Sequence, residues 1–539
     1  MKTFLLVAPV AIVLAIAVVT WGGGGYAPWA MLALELSAIA LATWLVATIV
    51  FSTSRRDRER SAAMSRAQRG SLLKGLKGLK ELKRGTATVE ILEPSSDTDG
   101  ETLKPIGGRY HDAVYVLGYG FRRVGSGIVL VMLTAWIALS LTPLPSSWLS
   151  ILSPRALQLK TEALSLSSAG REITAFAWSL VPFLSYQDLL LWLAYLMLFW
   201  VSYHLADSSR AARRLSLGLV VLGIASGIHG LFQWLARLAS DSEGTVAGNF
   251  LATGAFGNRN HYAMFQEMLL LISLGWLLMR YREGMHHARD NTSAQEAKAR
   301  TVLLGLGVGV IALSLLFSLS RSGVTFAMIG CALFAFATWS RGESRRLLAA
   351  GAIVLLASAL WIGIHPLLSR FKAVDIELTN EQQGRALVWR DSLDTVSDFW
   401  LTGSGMSSFQ YVFPAYRSFG GRRFFSWAHN DYLQLAVELG LPGLFLCALL
   451  LFWIAGRAVQ VRRNLTHQTK LRDLHAGYCG ATLAVSLHSF TDFGLHLPAN
   501  AALFAVILGV VTGLSPSRRS AKSSTSKGRR KLRRSPPMA

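Results

Sequence analysis

The stretch SWAHNDYLQLAVELGLPG, residues 426–443, decides how this chain is interpreted. It begins with aromatic and polar residues and becomes apolar from Leu435, a pattern typical of a membrane-surface segment that leads into a spanning helix. A side-chain oxygen of Asn430 or Asp431 can cap that helix. His429 then precedes the helix N-terminus, where the dipole favours the neutral imidazole that a general base needs. The alternative is a histidine that only anchors the helix at the lipid headgroups.

The composition around this stretch is that of a membrane protein. Of the 539 residues, 52% are hydrophobic and only 16% are charged. The apolar residues form blocks of about 20 residues, enough to cross a bilayer. The net charge of +23 is spread between these blocks, so nucleic acid is not expected as a partner. The three cysteines lie inside apolar blocks and indicate no disulfide framework.

We therefore predict an all-α polytopic membrane protein with about twelve transmembrane helices. The predicted spans are 4–20, 28–52, 127–143, 188–205, 215–236, 261–279, 301–319, 323–340, 348–364, 436–456, 474–490 and 499–514. The lysines and arginines support this topology. With the N-terminus inside, 41 of the 54 fall in inside segments and 13 in outside segments or span edges, as the positive-inside rule requires.

The spans divide the chain into four predicted parts. They are an N-terminal transmembrane hairpin (1–52), a basic cytoplasmic loop (53–126), a transmembrane domain (127–514) and a disordered basic tail (515–539). In the basic loop, residues 71–84 have the leucine spacing of an amphipathic helix suited to an anionic leaflet, although a solvated loop explains them equally well. The transmembrane domain includes one sizeable outside loop, 365–435, with a predicted helix over 381–399.

Two arginines on the predicted outside face are candidates for binding an anion. Arg259 lies in GNRNHYA (257–263), at the start of a span, where free N–H groups and the helix dipole favour an anion. Its guanidinium can hold two phosphate oxygens at once, or it can simply snorkel to the interface. Arg321 lies in SLSRSG (318–323), a short connection between two spans. A charge at the hydrocarbon boundary is costly and indicates function.

A further polar segment, HSFTDFGLH (488–496), closes the eleventh predicted span on the same face. It offers His488, Asp492 and His496. Asp492 could orient His429 or bind an acceptor, but a local capping or hydrogen-bonding role is the simpler interpretation.

Together these side chains restrict the chemistry. The arginines suit a diphosphate and can stabilise its departure. The histidine suits the removal of a proton from an attacking hydroxyl. Because no nucleotide is expected outside the cell, the donor has to be lipid-linked and already activated.

Several of these segments resemble the bacterial O-antigen ligase and O-antigen polymerase superfamily over about residues 215–515. The most specific is HNDYLQLAVELGLPG (429–443), whereas SRSG alone is weak. The segments that carry the resemblance are NRNHYA (258–263), SRSG (320–323), the spacing of Arg385 and Trp389, GSGMSSF (403–409) and residues 429–443.

The resemblance implies a GT-C type glycosyltransferase of the bacterial inner membrane. Such enzymes move a glycan from undecaprenyl diphosphate to an acceptor hydroxyl at the periplasmic face, with inversion and without metal or cofactor. It implies that Arg259 and Arg321 hold the diphosphate and that His429 activates the acceptor. Arg385 matches an arginine of the family's large periplasmic loop and is a third candidate for the diphosphate. The candidates for supporting roles are Asn258, Asn260, Asp431, Asp492 and His488.

The resemblance leaves the acceptor open. An O-antigen ligase of lipopolysaccharide assembly, an exopolysaccharide polymerase and a protein oligosaccharyltransferase share this chemistry. Expected partners are the lipid-linked glycan, membrane lipids and a chain-length regulator or other polysaccharide-assembly proteins. The alternative class is a transporter or flippase of lipid-linked glycans. The sequence disfavours it, because it shows no matched pair of broken spans in the two halves.

Overall fold

The computed structural model describes most of the predicted spans and the loops between them. It covers residues 2–25, 27–49, 113–116, 119–122, 125–166, 174–240, 251–287, 291–338, 385–420, 424–466 and 468–515. The predicted span 348–364, the segment 71–84 and nearly all of the basic tail lie outside these residues.

The described part of the chain is almost entirely helical. Its helices are α1 (Lys2–Trp21), α2 (Pro28–Ile49), α3 (Gly127–Leu139), α4 (Ser146–Leu152), α5 (Pro154–Leu166), α6 (Pro182–Leu205), α7 (Ser209–Ser240), α8 (Arg259–His287), α9 (Asn291–Phe317), α10 (Arg321–Thr338), α11 (Arg385–Asp398), α12 (Phe409–Val412), α13 (Asp431–Asn464), α14 (Thr469–His488) and α15 (Pro498–Gly513).

Eight of these helices are long and apolar enough to cross a membrane, namely α1, α2, α6, α7, α8, α9, α10 and α13. The protein is therefore a polytopic helical membrane protein. Helices α3 and α15 are apolar but shorter. Together with α14, these helices coincide with eleven of the twelve predicted spans. The full count of twelve stays a prediction.

Two short antiparallel strand pairs interrupt the helical architecture within the described residues. In the first, β1 (Ala113–Val116) pairs with β2 (Tyr119–Arg122), and in the second, β3 (Leu144–Pro145) pairs with β4 (Ala175–Phe176). Neither was predicted, because strands of two to four residues are too short to show the alternation that marks a strand.

The chain forms two compact units. The smaller contains residues 1–4 and 43–127, and the larger contains residues 5–42 and 128–539. In the smaller unit, the ring of Phe4 packs edge-on against Trp44, with 5.3 Å between centroids. All candidate site residues belong to the larger unit.

Helix α8 is the centre of the larger unit. It packs against α7, α9, α10 and α14, and its residues 261–273 are all buried. The contact with α14 is very close, because a Cβ added to Gly477 would lie 2.4 Å from the backbone oxygen of Leu271. Small residues allow such close approach of helices in membranes. This packing fixes the position of the N-terminus of α8, which carries Arg259.

Helix α13 is interrupted one quarter of the way along its length. Gly440 has φ 67° and ψ −179°, and Pro442 follows inside the helix. Proline has no N–H to donate, and the positive φ of Gly440 breaks the hydrogen-bond ladder. The interruption therefore frees backbone carbonyls in the turn that precedes it.

Residues 400–408, here called the docking loop, satisfy these freed carbonyls. The N–H groups of Ser404 and Gly405 donate to the oxygens of Val437 and Glu438, each at 2.9 Å. The indole N–H of Trp136 donates to the oxygen of Leu439, also at 2.9 Å. Irregular backbone inside a membrane protein requires such internal partners. Most of the segment GSGMSSF thus docks against the broken helix.

Candidate functional site

His429 lies immediately before the N-terminus of α13, as the sequence predicts. Asn430 caps the helix, since its side-chain oxygen accepts from the N–H groups of Tyr432 at 3.0 Å and Leu433 at 3.1 Å. His429 itself has φ 53°, a conformation uncommon outside glycine. Such backbone strain persists where the surroundings hold it, often at functional sites. The orientation of the His429 imidazole is therefore set by the backbone of the turn that precedes α13.

Asp492 is the residue on which distant parts of the chain converge. Its Oδ1 lies 3.5 Å from Nδ1 of His429 and 3.9 Å from Nε2 of His261, and its Oδ2 lies 3.9 Å from Nη2 of Arg385. The carboxylate is only 1% exposed. Helix α8, helix α11 and the turn before α13 thus meet at one buried carboxylate.

Asp492 stays ionised in this setting. Burial raises the pKa of its carboxyl, but the approach of His429 and the positive charge of Arg385 outweigh burial and bring the pKa well below its usual value. An ionised carboxylate beside Nδ1 of His429 favours the tautomer with the proton on that atom. Nε2 of His429 is then left as the basic nitrogen.

Aromatic rings fix the orientation of the two histidines. The ring of Phe493 contacts His429 and His261 edge-on, with centroids 5.0 Å and 4.5 Å away. Trp427 stacks on Phe493 at 5.4 Å. Edge-to-face contacts of this kind are favourable and limit rotation of the rings.

Asp431 fastens the loop that carries Asp492. Its backbone N–H donates to the oxygens of Ser489 at 2.8 Å and Asp492 at 3.2 Å. Its carboxylate contacts Nδ1 of His496 at 2.7 Å and accepts from the N–H of Leu495 at 3.3 Å. Asp431 therefore holds the 489–497 loop against the start of α13 instead of capping that helix.

The pair of His496 and Asp431 makes stability depend on pH. Burial lowers the pKa of His496, but the hydrogen bond and charge of Asp431, together with Glu438 and Asp188, outweigh it and raise this pKa above 6.5. The resulting stabilisation is fully present below about pH 6.5 and is lost as pH rises through the raised pKa. We expect His496→Gln to lower the melting temperature more at acidic than at alkaline pH. Thermal unfolding of the natural protein and of the variant from acidic to alkaline pH measures the difference in melting temperature. A difference that does not change with pH would contradict the expectation.

Arg259 and Arg321 each occupy the first position of a helix. This position was predicted for Arg259, whereas Arg321 was expected in the connection between two spans. Asn258 caps α8 by accepting from the N–H of Asn260 at 2.9 Å. Ser320 caps α10 by accepting from the N–H of Gly323 at 3.3 Å. Both arginines are half-buried. Their guanidinium groups thus add to the positive dipole ends of two helices, an arrangement that favours an anion.

The starts of these two helices are neighbours. A Cβ added to Gly323 would lie 2.5 Å from the Cβ of Ala263, one turn into α8. Helix α8 also connects the arginines to the histidine, because it carries Arg259 at its first position and His261, which faces Asp492, two residues later. The predicted residues of four separate segments therefore gather at one end of the bundle.

Two candidates have partners that the sequence did not predict. Nη1 of Arg385 donates to the backbone oxygen of Thr491 at 2.5 Å, so this arginine contacts the 489–497 loop as well as Asp492 itself. His488 is fully buried and its Nδ1 lies 3.1 Å from the carboxylate of Glu267. The pair joins α14 to α8.

His261 is the residue that sequence reasoning missed. It lies in the motif NRNHYA, but only its neighbours were selected as candidates. Its position two residues after Arg259, at the polar start of a span, was the available signal. Although His261, His429 and Asp492 approach one another, no three His, Cys, Asp or Glu side chains in the described part of the chain form a group suited to a metal ion.

Fold and site define a polytopic helical membrane protein with a cationic, histidine-containing site at one end of its bundle. Residues 306–448 match the family model described as O-antigen ligase, so the chain is a membrane protein with an O-antigen ligase domain. This match confirms the resemblance and includes Arg321, Arg385 and His429, whereas Arg259 and Asp492 lie outside it. A comparison with curated proteins found no significant match.

Proposed function

We propose that this protein is a glycosyltransferase that moves a glycan from undecaprenyl diphosphate to an acceptor hydroxyl. It acts as a surface polysaccharide polymerase or an O-antigen ligase. The observation that carries the proposal is the approach of His429 to the buried Asp492 at 3.5 Å, at the end of the bundle where α8 and α10 begin with arginines. The match to the O-antigen ligase family supports the same class of substrate.

In the proposed reaction, His429 activates the acceptor. Its Nε2 takes the hydroxyl proton while the acceptor oxygen attacks the anomeric carbon of the donor sugar. The bond from that carbon to the diphosphate oxygen breaks, and its electron pair leaves with undecaprenyl diphosphate. Attack opposite the leaving group inverts the anomeric centre. Asp492 stabilises the imidazolium until its proton passes to solvent, the role of the buried aspartate in a catalytic triad.

Arg259 and Arg321 hold the leaving diphosphate in this proposal. Negative charge develops on the bridging oxygen as the glycosidic bond breaks. Guanidinium groups held at two helix N-termini stabilise that charge without needing to rearrange. The proposed reaction relies on this stabilisation and on the general base, and it includes no metal or cofactor.

The distribution of basic residues supports a periplasmic site in the bacterial inner membrane. The arginine-bearing starts of α8 and α10 face the side to which the predicted topology assigns 13 of the 54 lysines and arginines. A glycan linked to undecaprenyl diphosphate already carries its leaving group, so it can react in a compartment that contains no nucleotides.

Deletion of the gene tests the function and separates two acceptors. A polymerase mutant is expected to lose long-chain polymer and to retain single repeat units. A ligase mutant is expected to accumulate full-length glycan on its lipid carrier. Purified protein in liposomes should release undecaprenyl diphosphate from a lipid-linked glycan only when acceptor is present. An unchanged polymer profile in the deletion strain, together with no release in liposomes, would exclude both roles.

One observation favours a transporter or flippase, namely the interruption of α13 at Gly440. Transporters use broken helices to present free carbonyls to an ion or substrate. Here the carbonyls of Val437, Glu438 and Leu439 already accept hydrogen bonds from the docking loop and Trp136. The interruption therefore serves internal packing, and the glycosyltransferase remains the better-supported proposal.

A further inference from the structure

His261 is a buried polar side chain without a hydrogen bond. It is 1% exposed, and neither of its ring nitrogens has a hydrogen-bond partner among the described residues. Leaving such a group unpaired costs free energy, so a buried imidazole calls for a reason. An apolar ring would pack equally well against Phe493, whose centroid lies 4.5 Å away.

The position of the His261 ring beside Asp492 explains why a histidine is buried here. Nε2 of His261 points towards Oδ1 of Asp492, 3.9 Å away. The same oxygen lies 3.5 Å from Nδ1 of His429. Asp492 therefore lies between two imidazoles, one from α8 and one from the turn before α13. Its position is further limited by Arg385 on Oδ2 and by the N–H of Phe493, which donates to Oδ1 at 2.9 Å.

We propose that His261 is a positioning residue, which donates its Nε2–H to Asp492 and holds this carboxylate against His429. The inference rests on the proposed function, in which His429 is the base. A movement of about 1 Å converts the present contact into a hydrogen bond, and catalytic hydrogen bonds commonly tighten when substrate binds.

The proton balance of this arrangement is simple. His261 keeps the proton on Nε2 throughout the reaction, and Asp492 stays ionised. His429 alone gains a proton, on the Nε2 that faces the acceptor. By holding Oδ1, which also accepts from the N–H of Phe493, His261 keeps this oxygen directed at the Nδ1–H of His429. Without His261, the carboxylate is free to turn towards Arg385, and the imidazolium of His429 loses its stabilising partner.

Three substitutions at one position test the inference. The amide nitrogen of glutamine reaches the place of Nε2, that of asparagine reaches the place of Nδ1, and phenylalanine fills the same space without a donor. We expect His261→Phe and His261→Asn to lower kcat about 10-fold, the cost typical of one hydrogen bond to a charged group, with an unchanged KM for the lipid-linked donor. His261→Gln should recover most of kcat.

A double-variant cycle separates positioning from packing. In an Asp492→Ala background, His261→Phe should have no further effect on kcat, because the acceptor for His261 is already absent. Additive losses would overturn the inference, as would equal activity of the glutamine and phenylalanine variants. His429→Ala, assayed in parallel, separates a failure of the proposed function from a failure of the proposed role of His261. If that variant stays active, the proposed function fails. If it is inactive while His261→Phe is fully active, only the inference about His261 fails.

Discussion

Substitution of His429 by alanine is expected to lower glycan transfer by about 10²–10⁴-fold, the contribution typical of a general base. The acceptor hydroxyl would then have to attack without losing its proton to a neighbouring group. The lipid-linked donor should still bind, because Arg259 and Arg321 belong to other helices. Release of undecaprenyl diphosphate by purified protein in liposomes, at saturating donor, measures the effect.

Two controls sharpen this experiment. His204→Ala removes a half-buried histidine near the C-terminus of α6 and should leave transfer unchanged. Arg321→Ala should weaken transfer by a different route, through loss of charge beside the leaving diphosphate. If His429→Ala and Arg321→Ala both retain full polymer output in cells, the assignment of catalytic roles is wrong.

Substitution of Gly403 by alanine is expected to prevent correct folding of the larger unit. Gly403 has φ 69°, and a Cβ at this position would lie 2.2 Å from the backbone oxygen of Glu438. That oxygen belongs to the interrupted turn of α13 and cannot move without breaking its hydrogen bond to Gly405. Strained backbone and overpacking together cost about 3 kcal/mol or more, a large part of the stability of most domains. The yield of monodisperse protein and its melting temperature in detergent report the loss.

Gly456→Ala is the matched control for this substitution. Gly456 lies in the uninterrupted part of α13, and nothing lies within 4 Å of a Cβ added there. Alanine favours a helix over glycine by about 1 kcal/mol, so this variant should be as stable as the natural protein or more so. Equal yields of the two variants would show that the docking loop tolerates a side chain at Gly403.

The features of the site that depend on local sequence could be predicted. Asn430 caps α13 and Arg259 begins α8, because caps and hydropathy changes act within a few residues. The spans themselves followed from apolar blocks, which a bilayer selects by length.

The features that depend on tertiary contacts could not be predicted. Asp492 makes the local hydrogen bond favoured by the simpler interpretation, at 2.9 Å to the N–H of Phe493. It also meets His429, His261 and Arg385, which only packing of separate helices brings close. Likewise, Gly440 and Pro442 lie inside an apolar block that hydropathy describes as one continuous span, and the partners of their freed carbonyls lie 33 residues or more away in the sequence.

The interruption of α13 also has a mechanical consequence. Residues 431–439 are joined to the docking loop, while the remainder of the helix continues for 24 residues beyond Gly440. Bilayers of different thickness change the tilt of a spanning segment. A swivel at Gly440 can absorb that change before it reaches His429, so the reacting groups keep their alignment as the surrounding lipid varies.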